Sequence, residues 1–465
     1  AATVLGSGIA FLDATVVNVA LPTIADDLDA DLTGLQWTLD AYLVTLAALL
    51  LLGGSLGDLY GRRRVFLVGL SGFTGASALC GLAPSIEALI AARALQGAGA
   101  ALLVPGSLAI ISAAFVAEDR SRAVGAWSGL GGVAGAVGPF LGGWLVDAVS
   151  WRLVFFINLP LAALTGWVAS RHVPESRSAT MGGLDVGGAA AVSIGLAGVA
   201  YACIEGASGF AGPELAATLI GIGGLVGFVA VERVSGHPML PLAVFRSAQF
   251  VGANGTTLAV YMGLGGATFL LVLQLQNVLG YSALEAGASL LPVTGIMMAL
   301  SARAGALAQR IGPRVPMTAG PLLVAAGLAL FSRVVAGTSY AGAVLPAAVV
   351  FGAGLALTVA PLTATVLAAV DEHHLGVGSG FNNAVARLAG LLAVALLPAV
   401  AGLDPEGSPD AFSAGFERAM VIAAAVCAAG AAVAFATVRR TTPTAALTQA
   451  SVHHPCHDPA VRATT

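Results

Sequence analysis

Two charged side chains interrupt long apolar segments in the first quarter of the chain. Asp13 lies in the apolar segment 3–22, and Arg93 lies in the segment 88–112. A charged group near the centre of a bilayer costs about 2.5–3.5 kcal/mol on insertion scales, so it requires a partner of opposite charge or a water-filled cavity. An intramembrane carboxylate beside an arginine has the chemistry of a proton relay, because it can gain and lose a proton within the membrane.

The positions of these residues along their segments predict that they lie at similar depth. Asp13 precedes Pro22 by nine residues, which is about 13 Å at the helical rise. Arg93 follows Glu87 by six residues, or about 9 Å, in a segment of opposite direction. We therefore expect a cavity in the first half of the chain that contains both side chains. Asp40, about 6–8 Å deep by the same rise, is a third candidate for this cavity.

Asp13 is the best candidate proton carrier. Burial disfavours the charged carboxylate and a nearby Arg93 favours it, so the group can titrate as the cavity opens or closes. The alternative is a static ion pair that only fixes helix packing. For Asp40, a role with a proton or substrate stands beside the alternative of an interfacial acid hydrated by water.

The composition requires that these residues be carried by membrane-spanning helices. The chain has 465 residues, of which 57% are hydrophobic and 9% are charged. Soluble domains have about 25% charged residues, so this chain could not cover a globular surface with polar groups. The apolar runs are continuous and do not alternate with polar residues, which excludes a β-barrel. The 61 glycines suit close packing of helices in a bilayer. We predict an all-α integral membrane protein.

Length and apolarity predict fourteen membrane spans. They are 3–22, 35–56, 65–83, 88–112, 123–146, 153–170, 186–204, 214–232, 249–273, 284–308, 315–336, 340–366, 377–401 and 416–438. Most loop arginines fall in alternate loops, and most loop aspartates and glutamates fall in the opposite ones. The positive-inside rule then places both termini in the cytoplasm, in a bacterial inner membrane. The first apolar run has no basic leader, so we expect a span and not a cleaved signal peptide.

The chain contains an internal repeat. The segment 54–64 recurs as 305–314, and the segment 97–105 recurs as 352–361. Parallel duplication is a common construction of transporters, with the ligand held between the halves. We expect two six-helix bundles, at 1–170 and 249–440, separated by an inserted two-helix segment at 171–248. The repeat aligns Arg93 with the uncharged Ala348, so coupling chemistry is expected in the first half only.

The tail 441–465 lacks apolar periodicity and is predicted to be disordered. It contains side chains that could bind a soft metal, namely His453, His454, Cys456, His457 and Asp458. Their spacing fits no tetrahedral zinc template, so a flexible tail without a metal site is the preferred interpretation.

Five motifs, in order, carry a family resemblance. They are Leu12–Pro22, Gly54–Arg64, Leu89–Gly99, Gly125–Gly143 and Trp151–Pro160. Together they resemble the major facilitator superfamily, and within it the fourteen-helix drug:proton antiporter group. The fourth motif departs from the family pattern at Ala134, where a glycine is usual.

The resemblance implies gating roles for two of these motifs. Asp58 is expected to contact the start of a helix in the other half, beside Arg62 and Arg63, in one conformation only. The alternative is that the arginines only hold this loop in the cytoplasm. Gly138 and Pro139 are expected to bend the fifth span and to act as a hinge, although glycine and proline are frequent in membrane helices in general.

Polar and aromatic residues on otherwise apolar spans are candidates for the substrate cavity. They are Phe11, Asn18, Trp37, Tyr42, Gln96, Asn254, Tyr261, Gln274, Asn382 and Arg387. The alternatives are hydrogen bonds between helices for the polar residues and interfacial anchoring for the aromatic ones.

The resemblance and the buried charges together predict a proton-coupled exporter of small amphipathic or hydrophobic compounds. The first alternative is an exporter or flippase of a lipid or endogenous metabolite, and the second is a membrane sensor that transports nothing. The sequence has no nucleotide-binding loop, HExxH motif or nucleophile elbow, which argues against an enzyme. We expect a monomer with no cofactor besides the proton gradient, whose partners are substrate, protons and the bilayer, not nucleic acid.

Overall fold

A computed structural model describes residues 2–114, 133–135, 137–177, 185–206, 212–235, 240, 242–370, 375–404 and 408–439. All regular structure within these ranges is helical. The first seven helices are α1 (Ala2–Leu28), α2 (Leu32–Tyr60), α3 (Arg62–Gly81), α4 (Ile86–Ala114), α5 (Val133–Ala148, apart from residue 136), α6 (Leu153–Phe156) and α7 (Asn158–His172). The others are α8 (Val186–Glu205), α9 (Pro213–Val234), α10 (Ala248–Leu273), α11 (Ala283–Ser289), α12 (Leu291–Ile311), α13 (Arg314–Phe331), α14 (Leu345–Ala368), α15 (Leu375–Val400) and α16 (Pro409–Thr437). Short π-helical segments, Gln274–Val278 and Tyr340–Val344, extend α10 and precede α14.

The predicted spans coincide with these helices. In the described residues, twelve helices are long and apolar enough to cross a membrane, and α2, bent by 50°, makes a thirteenth. The helix α5 is apolar and shorter, and the predicted residues 123–132 of its span lie outside the described ranges, as does the tail 441–465. The all-helical membrane fold predicted from composition is therefore confirmed.

The largest differences from the predicted boundaries are at the end of α1 and the start of α16. α1 does not end at Pro22 but runs through it to Leu28. Asp13 is therefore fifteen residues from the end of α1, or about 22 Å. α16 begins at Pro409, seven residues before the predicted start, because the side chain of Ser408 caps the helix. Proline is a poor stop signal in a membrane helix, where neighbouring groups compensate for the lost hydrogen bond.

The internal repeat is visible in the backbone. Gly61 joins α2 to α3 with φ of 110°, and Gly312 joins α12 to α13 with φ of 85°. Residues with a Cβ rarely adopt such values, so glycine permits the same tight turn in both halves.

Glycine also sets the distance between paired helices in both halves. A Cβ added to Gly69 or Gly99 would overlap the facing backbone where α3 crosses α4. The equivalent pair, Gly320 and Gly354, brings α13 equally close to α14. Small residues at such crossings let the helix backbones touch, which is the main source of packing energy in a bilayer.

The inserted helices α8 and α9 pack on each other through Gly195, Gly198 and Gly221. α8 also packs against α2 and α15, one from each half. Only 6% of the most apolar 18-residue stretch of α9 is buried, as expected for a helix that faces lipid. The pair therefore covers one seam between the two halves.

The bundle has two ends that differ in charge. The acidic end is defined by the last turn of α1 and the link to α2, with Asp26, Asp27, Asp29 and Asp31. The arginine end is defined by the first turn of α3, with Arg62, Arg63 and Arg64.

Candidate functional site

Asp13 and Arg93 form a buried ion pair. Arg93 Nη1 lies 2.6 Å from Asp13 Oδ2, and the side chains are 1% and 0% exposed. Breaking such a pair by removing one partner typically costs 3–5 kcal/mol, because the other charge is left uncompensated. The two residues that sequence spacing predicted to meet are thus in direct contact.

The pair makes further hydrogen bonds with residues on α2, α4 and α7. Asp13 Oδ1 accepts hydrogen bonds from Gln96 Nε2 at 2.8 Å and from Asn158 Nδ2 at 2.9 Å. Arg93 donates through Nε to the carbonyl of Thr38 at 3.0 Å and through Nη1 to Gln96 Oε1 at 2.6 Å. These bonds offset the desolvation of both charges.

Two further contacts fix the geometry of this network. The guanidinium carbon of Arg93 lies 4.3 Å from the centroid of the Tyr42 ring, in a cation–π contact. Ser77 Oγ accepts hydrogen bonds from Gln96 and Asn158 and donates one to the carbonyl of Phe155. Sequence analysis did not select Asn158 as a site residue, although it lies within the Trp151–Pro160 motif.

Asp40 is buried apart from this network. Both of its carboxylate oxygens are buried without a hydrogen-bond partner among the described residues. It lies three residues after Trp37 and four before Val44, on the face of α2 that packs against α8. Leu39 and Tyr42, by contrast, face the centre of the protein. The expectation that Asp40 joins Asp13 and Arg93 in one cavity is wrong for this conformation, because the helical rotation between positions 39 and 40 turns the carboxylate toward α8.

A cavity of about 230 Å³ lies between the two halves. It is lined by Ala14, Thr15, Asn18, Val19, Leu39, Tyr42, Leu43, Arg93, Pro139, Tyr261, Leu264, Gly265, Thr268, Val272, Leu290, Ala386, Arg387, Gly390 and Val394. The first nine belong to the first half of the chain and the rest to the second half. The ion pair therefore borders the cavity through Arg93.

Four of the ten predicted cavity residues line this space, namely Asn18, Tyr42, Tyr261 and Arg387. Phe11 lies next to it, with its ring centroid 5.6 Å from the guanidinium carbon of Arg387. The sixth, Gln96, belongs to the ion-pair network.

The other four predicted cavity residues bond elsewhere. Trp37 donates to Glu205 of α8 at 3.0 Å. Asn382 donates to Asn254 at 3.1 Å, which joins α15 to α10. Gln274 bonds to the loop after α13 and to α16. These contacts match the alternative that polar residues serve as hydrogen bonds between helices.

Among the described residues, three polar side chains join the two halves at the acidic end. Asp147, at the end of α5, accepts hydrogen bonds from the backbone N–H groups of Ala283 and Leu284, at 3.2 and 2.9 Å. Gln36 donates to the carbonyl of Val394 at 2.6 Å, and Gln276 donates to that of Val19 at 3.0 Å. Asp147 and Gln36 were missed at the level of sequence, since a carboxylate or amide near a loop gives no signal of a partner far along the chain.

Glycines bring α5 against α11 and α1 beside these contacts. A Cβ on Gly143 would overlap the backbone of Ala283, and one on Gly287 would overlap the carbonyl of Pro139. Gly138 packs equally closely against Thr15 of α1. The acidic end is therefore closed by direct backbone contact between the halves.

At the arginine end, the predicted gating residues bond within the first half, as far as the described residues show. Arg62 Nη2 lies 2.6 Å from Asp58 Oδ1, with both side chains partly exposed. Arg63 Nη1 donates to the carbonyl of Val173 at 3.1 Å, and Glu175 accepts from the backbone N–H groups of Arg63 and Arg64. The contact of Asp58 with the other half, implied by the family resemblance, is not formed here among the described residues.

Replacing Asp147 by Ala is expected to weaken closure of the acidic end. A carboxylate at a helix N-terminus contributes about 0.3–1 kcal/mol, and up to about 2 when partly buried. The closed population should therefore fall, which distance measurements between spin labels on α5 and α11 would detect. Asp26→Ala, at an exposed position in the same end, is the matched control. An unchanged distance distribution in Asp147→Ala would contradict this role.

Helices of both halves surround a cavity with a buried ion pair beside it, an arrangement typical of membrane transporters. The chain belongs to the Major Facilitator Superfamily, a family of transporters and not of enzymes, which matches residues 3–394. It is 36% identical over 408 residues to the multidrug resistance protein Stp of Mycobacterium tuberculosis, covering 86% of this chain and 74% of that protein. It is 35% identical over 399 residues to the tetracenomycin C resistance and export protein of Streptomyces glaucescens, covering 83% and 72%.

The fold also matches a solved structure. A bacterial homologue of the human lysosomal transporter Spinster, in an inward-facing and unoccupied conformation, superposes with a TM-score of 0.66 at 17% identity. The match covers 94% of this chain and 95% of that one. At this identity the likeness establishes a shared fold.

Proposed function

We propose that the protein is a proton-coupled exporter of small amphipathic or hydrophobic compounds that works by alternating access. The observation that carries this proposal is the contact of the buried Asp13–Arg93 pair with a cavity lined by both halves. The names of the relatives, which describe multidrug resistance and antibiotic export, support an efflux direction.

In the proposed cycle, this structure is the inward-facing state with the proton released. Closure of the acidic end and the intact ion pair support that assignment. The acidic end then opens to the outside. Asp13 takes up a proton from the outside, and the substrate leaves. The protonated form returns inward, where Arg93 regains its partner and the proton departs as substrate binds.

The proposed orientation places the arginine end and both termini in the cytoplasm, in the inner membrane of a bacterium, as the positive-inside rule predicts. The driving force is the proton gradient, without a cofactor. One charge moved across the membrane contributes about 2.3 kcal/mol per 100 mV, so a single proton can drive substrate uphill. We propose that the monomer is the working unit, since one chain supplies both walls of the cavity.

We also propose that Asp40 carries a proton in this conformation. An ionised carboxylate without a partner is costly in an apolar interior, so the neutral acid is the stable form beside α8. A change in the packing of α2 on α8 would alter this environment. Asp40 could then bind or release a proton during the cycle without contact with Asp13.

Gly138 and Pro139 are proposed as the hinge of α5. Gly138 lies against α1, and the carbonyl of Pro139 lies against α11 in the other half. A bend here would separate α5 from α11 while α5 stayed in contact with α1.

Replacing Asp58 by Asn is expected to favour the present conformation. The pair with Arg62 is a partly exposed contact across the α2–α3 turn, and surface ion pairs of this kind contribute about 0.2–1 kcal/mol. In the outward-facing state, Asp58 is proposed to contact a helix N-terminus of the other half. Loss of that carboxylate would destabilise the outward-facing state by about 0.3–1 kcal/mol, or up to about 2 kcal/mol if the contact is partly buried. Accessibility of the arginine end to a thiol reagent should therefore rise.

Arg64→Gln is the matched control for Asp58→Asn, because the Arg64 side chain is exposed in the same turn. If both variants change accessibility equally, the turn acts only through its charge and Asp58 is not a gating residue.

The proposal is tested by transport in proteoliposomes with an imposed pH gradient. The panel comprises lipophilic cations, anions, neutral drugs and a labelled phospholipid. Uphill transport of small compounds that collapses with the gradient is the expected result. Transport of the phospholipid alone would support the flippase alternative, and no gradient-dependent transport of any compound would contradict the proposal.

A further inference from the structure

The central cavity has an unbalanced positive charge. Arg93 and Arg387 are the charged residues among those that line it, and no carboxylate is among them. The charge of Arg93 is compensated by Asp13 at 2.6 Å. Arg387 forms no ion pair with a described residue, and the centroid of the Phe11 ring lies 5.6 Å from its guanidinium carbon.

Arg387 lies at mid-depth in the protein. It is twelve residues from the start of α15 and thirteen from its end, or about 18 and 20 Å. Charged side chains at this depth pair with one another or face a cavity, and they mark substrate pathways. The guanidinium of Arg387 faces a cavity and keeps its fork of N–H donors free of any carboxylate in the described part of the chain. A ligand can therefore supply the missing negative charge.

The walls around Arg387 define the rest of such a ligand. Tyr42 and Tyr261 line the same cavity as Arg387. Leu264 and Leu290 add aliphatic surface. The volume of about 230 Å³ suits a compact ring system and not an extended chain. An aromatic or alicyclic body with one acidic group matches this combination of surfaces.

We infer that the cavity selects amphipathic organic anions, with the acidic group paired to Arg387 and the ring system held between Tyr42 and Tyr261. This inference rests on the proposed function and specifies its substrate class. Arginine suits this role because its planar fork binds a carboxylate through two parallel hydrogen bonds. Asp13 is not available for a cationic substrate in this conformation, since its oxygens are occupied by Arg93, Gln96 and Asn158.

The test compares matched ligands that differ in charge alone. Naphthoate, naphthamide and naphthylmethylammonium share one ring system and carry a negative, zero and positive charge. Their binding to the purified full chain in nanodiscs is measured by calorimetry, without a proton gradient. We expect naphthoate to bind at least about tenfold more tightly than naphthamide, the usual scale of a charge-assisted contact. The cation should bind most weakly.

The variant Arg387→Gln should remove the preference for naphthoate and leave the affinity for naphthamide within about twofold. Arg387→Lys should retain a part of the preference, because lysine keeps the positive charge but lacks the planar pair of N–H donors. Arg303→Gln is the control, since Arg303 is an exposed arginine on α12 that bonds to its own helix. Thermal unfolding of each variant checks that the fold is intact.

The inference is overturned if the cation or the amide binds the unmodified protein as tightly as naphthoate, or if naphthoate does not bind. It is also overturned if a folded Arg387→Gln variant keeps the preference. If naphthoate binding depends on Arg387 but no compound is moved by a pH gradient, the ligand class of the cavity stands and the proposed transport function fails. The two proposals can therefore be judged separately.

Discussion

Replacing Asp13 by Asn is expected to abolish uphill, proton-driven efflux completely. Asn cannot carry a proton between the two sides, whereas it can keep hydrogen bonds to Gln96 and Asn158. Exchange of labelled for unlabelled substrate down its own gradient requires no proton and should persist. Efflux and exchange measured in the same proteoliposomes therefore separate loss of coupling from loss of the cavity.

The variant also leaves Arg93 buried without a counter-ion. Breaking a buried pair in this way costs about 3–5 kcal/mol, so Asp13→Asn should unfold at a lower temperature. A double variant, Asp13→Asn with Arg93→Gln, removes both charges and should regain much of this stability. It should not regain coupling. If stability and coupling returned together in the double variant, the pair would be a packing device and not a proton site.

Replacing Gly287 by Val is expected to prevent closure of the acidic end. The added side chain would occupy the position of the Pro139 carbonyl, so α5 and α11 must separate. Overpacking typically costs about 1–3 kcal/mol, which corresponds to a 5–150-fold shift between two conformations. Transport should fall by a similar factor, because the inward-facing state becomes rare. Thiol labelling of a cavity position from the acidic end should increase accordingly.

Gly295→Val is the matched control for Gly287→Val. Gly295 lies on α12 of the same half, and a Cβ there would meet nothing within 4 Å. It should change neither transport nor labelling. Equal loss of activity in both variants would mean that the defect comes from folding, and the role of the α5–α11 contact in closure would be contradicted.

The fold could be predicted from the sequence because the bilayer imposes a length and an apolarity on each span. The internal repeat added the division into halves, and Gly61 and Gly312 now occupy equivalent turns. The exact ends of the helices could not be predicted from the sequence. Pro22 is accommodated inside α1, and Ser408 extends α16 toward the N-terminus, because both outcomes depend on neighbouring groups that a linear pattern does not contain.

The site was predictable where the free-energy cost of burying a charge decides the outcome. A charge within an apolar run requires a partner, so Asp13 and Arg93 could be paired as opposite charges within two apolar segments, although the depth of Asp13 counted from Pro22 was too small. Rotation about a helix was not fixed by depth, which is why Asp40 was placed with the wrong neighbours. Amides such as Gln274 and Asn382 tolerate either a cavity or a helix interface, and their assignment therefore needed the three-dimensional packing.

The most direct test of the account measures proton movement driven by substrate. Proteoliposomes loaded with substrate and a pH-sensitive dye are diluted into substrate-free medium without an imposed pH gradient. Substrate that leaves through the unmodified protein should drive protons into the proteoliposomes and change the dye signal. Through Asp13→Asn, substrate should leave without any change in the dye signal. Continued proton movement through Asp13→Asn would contradict the assignment of Asp13 as the coupling carboxylate.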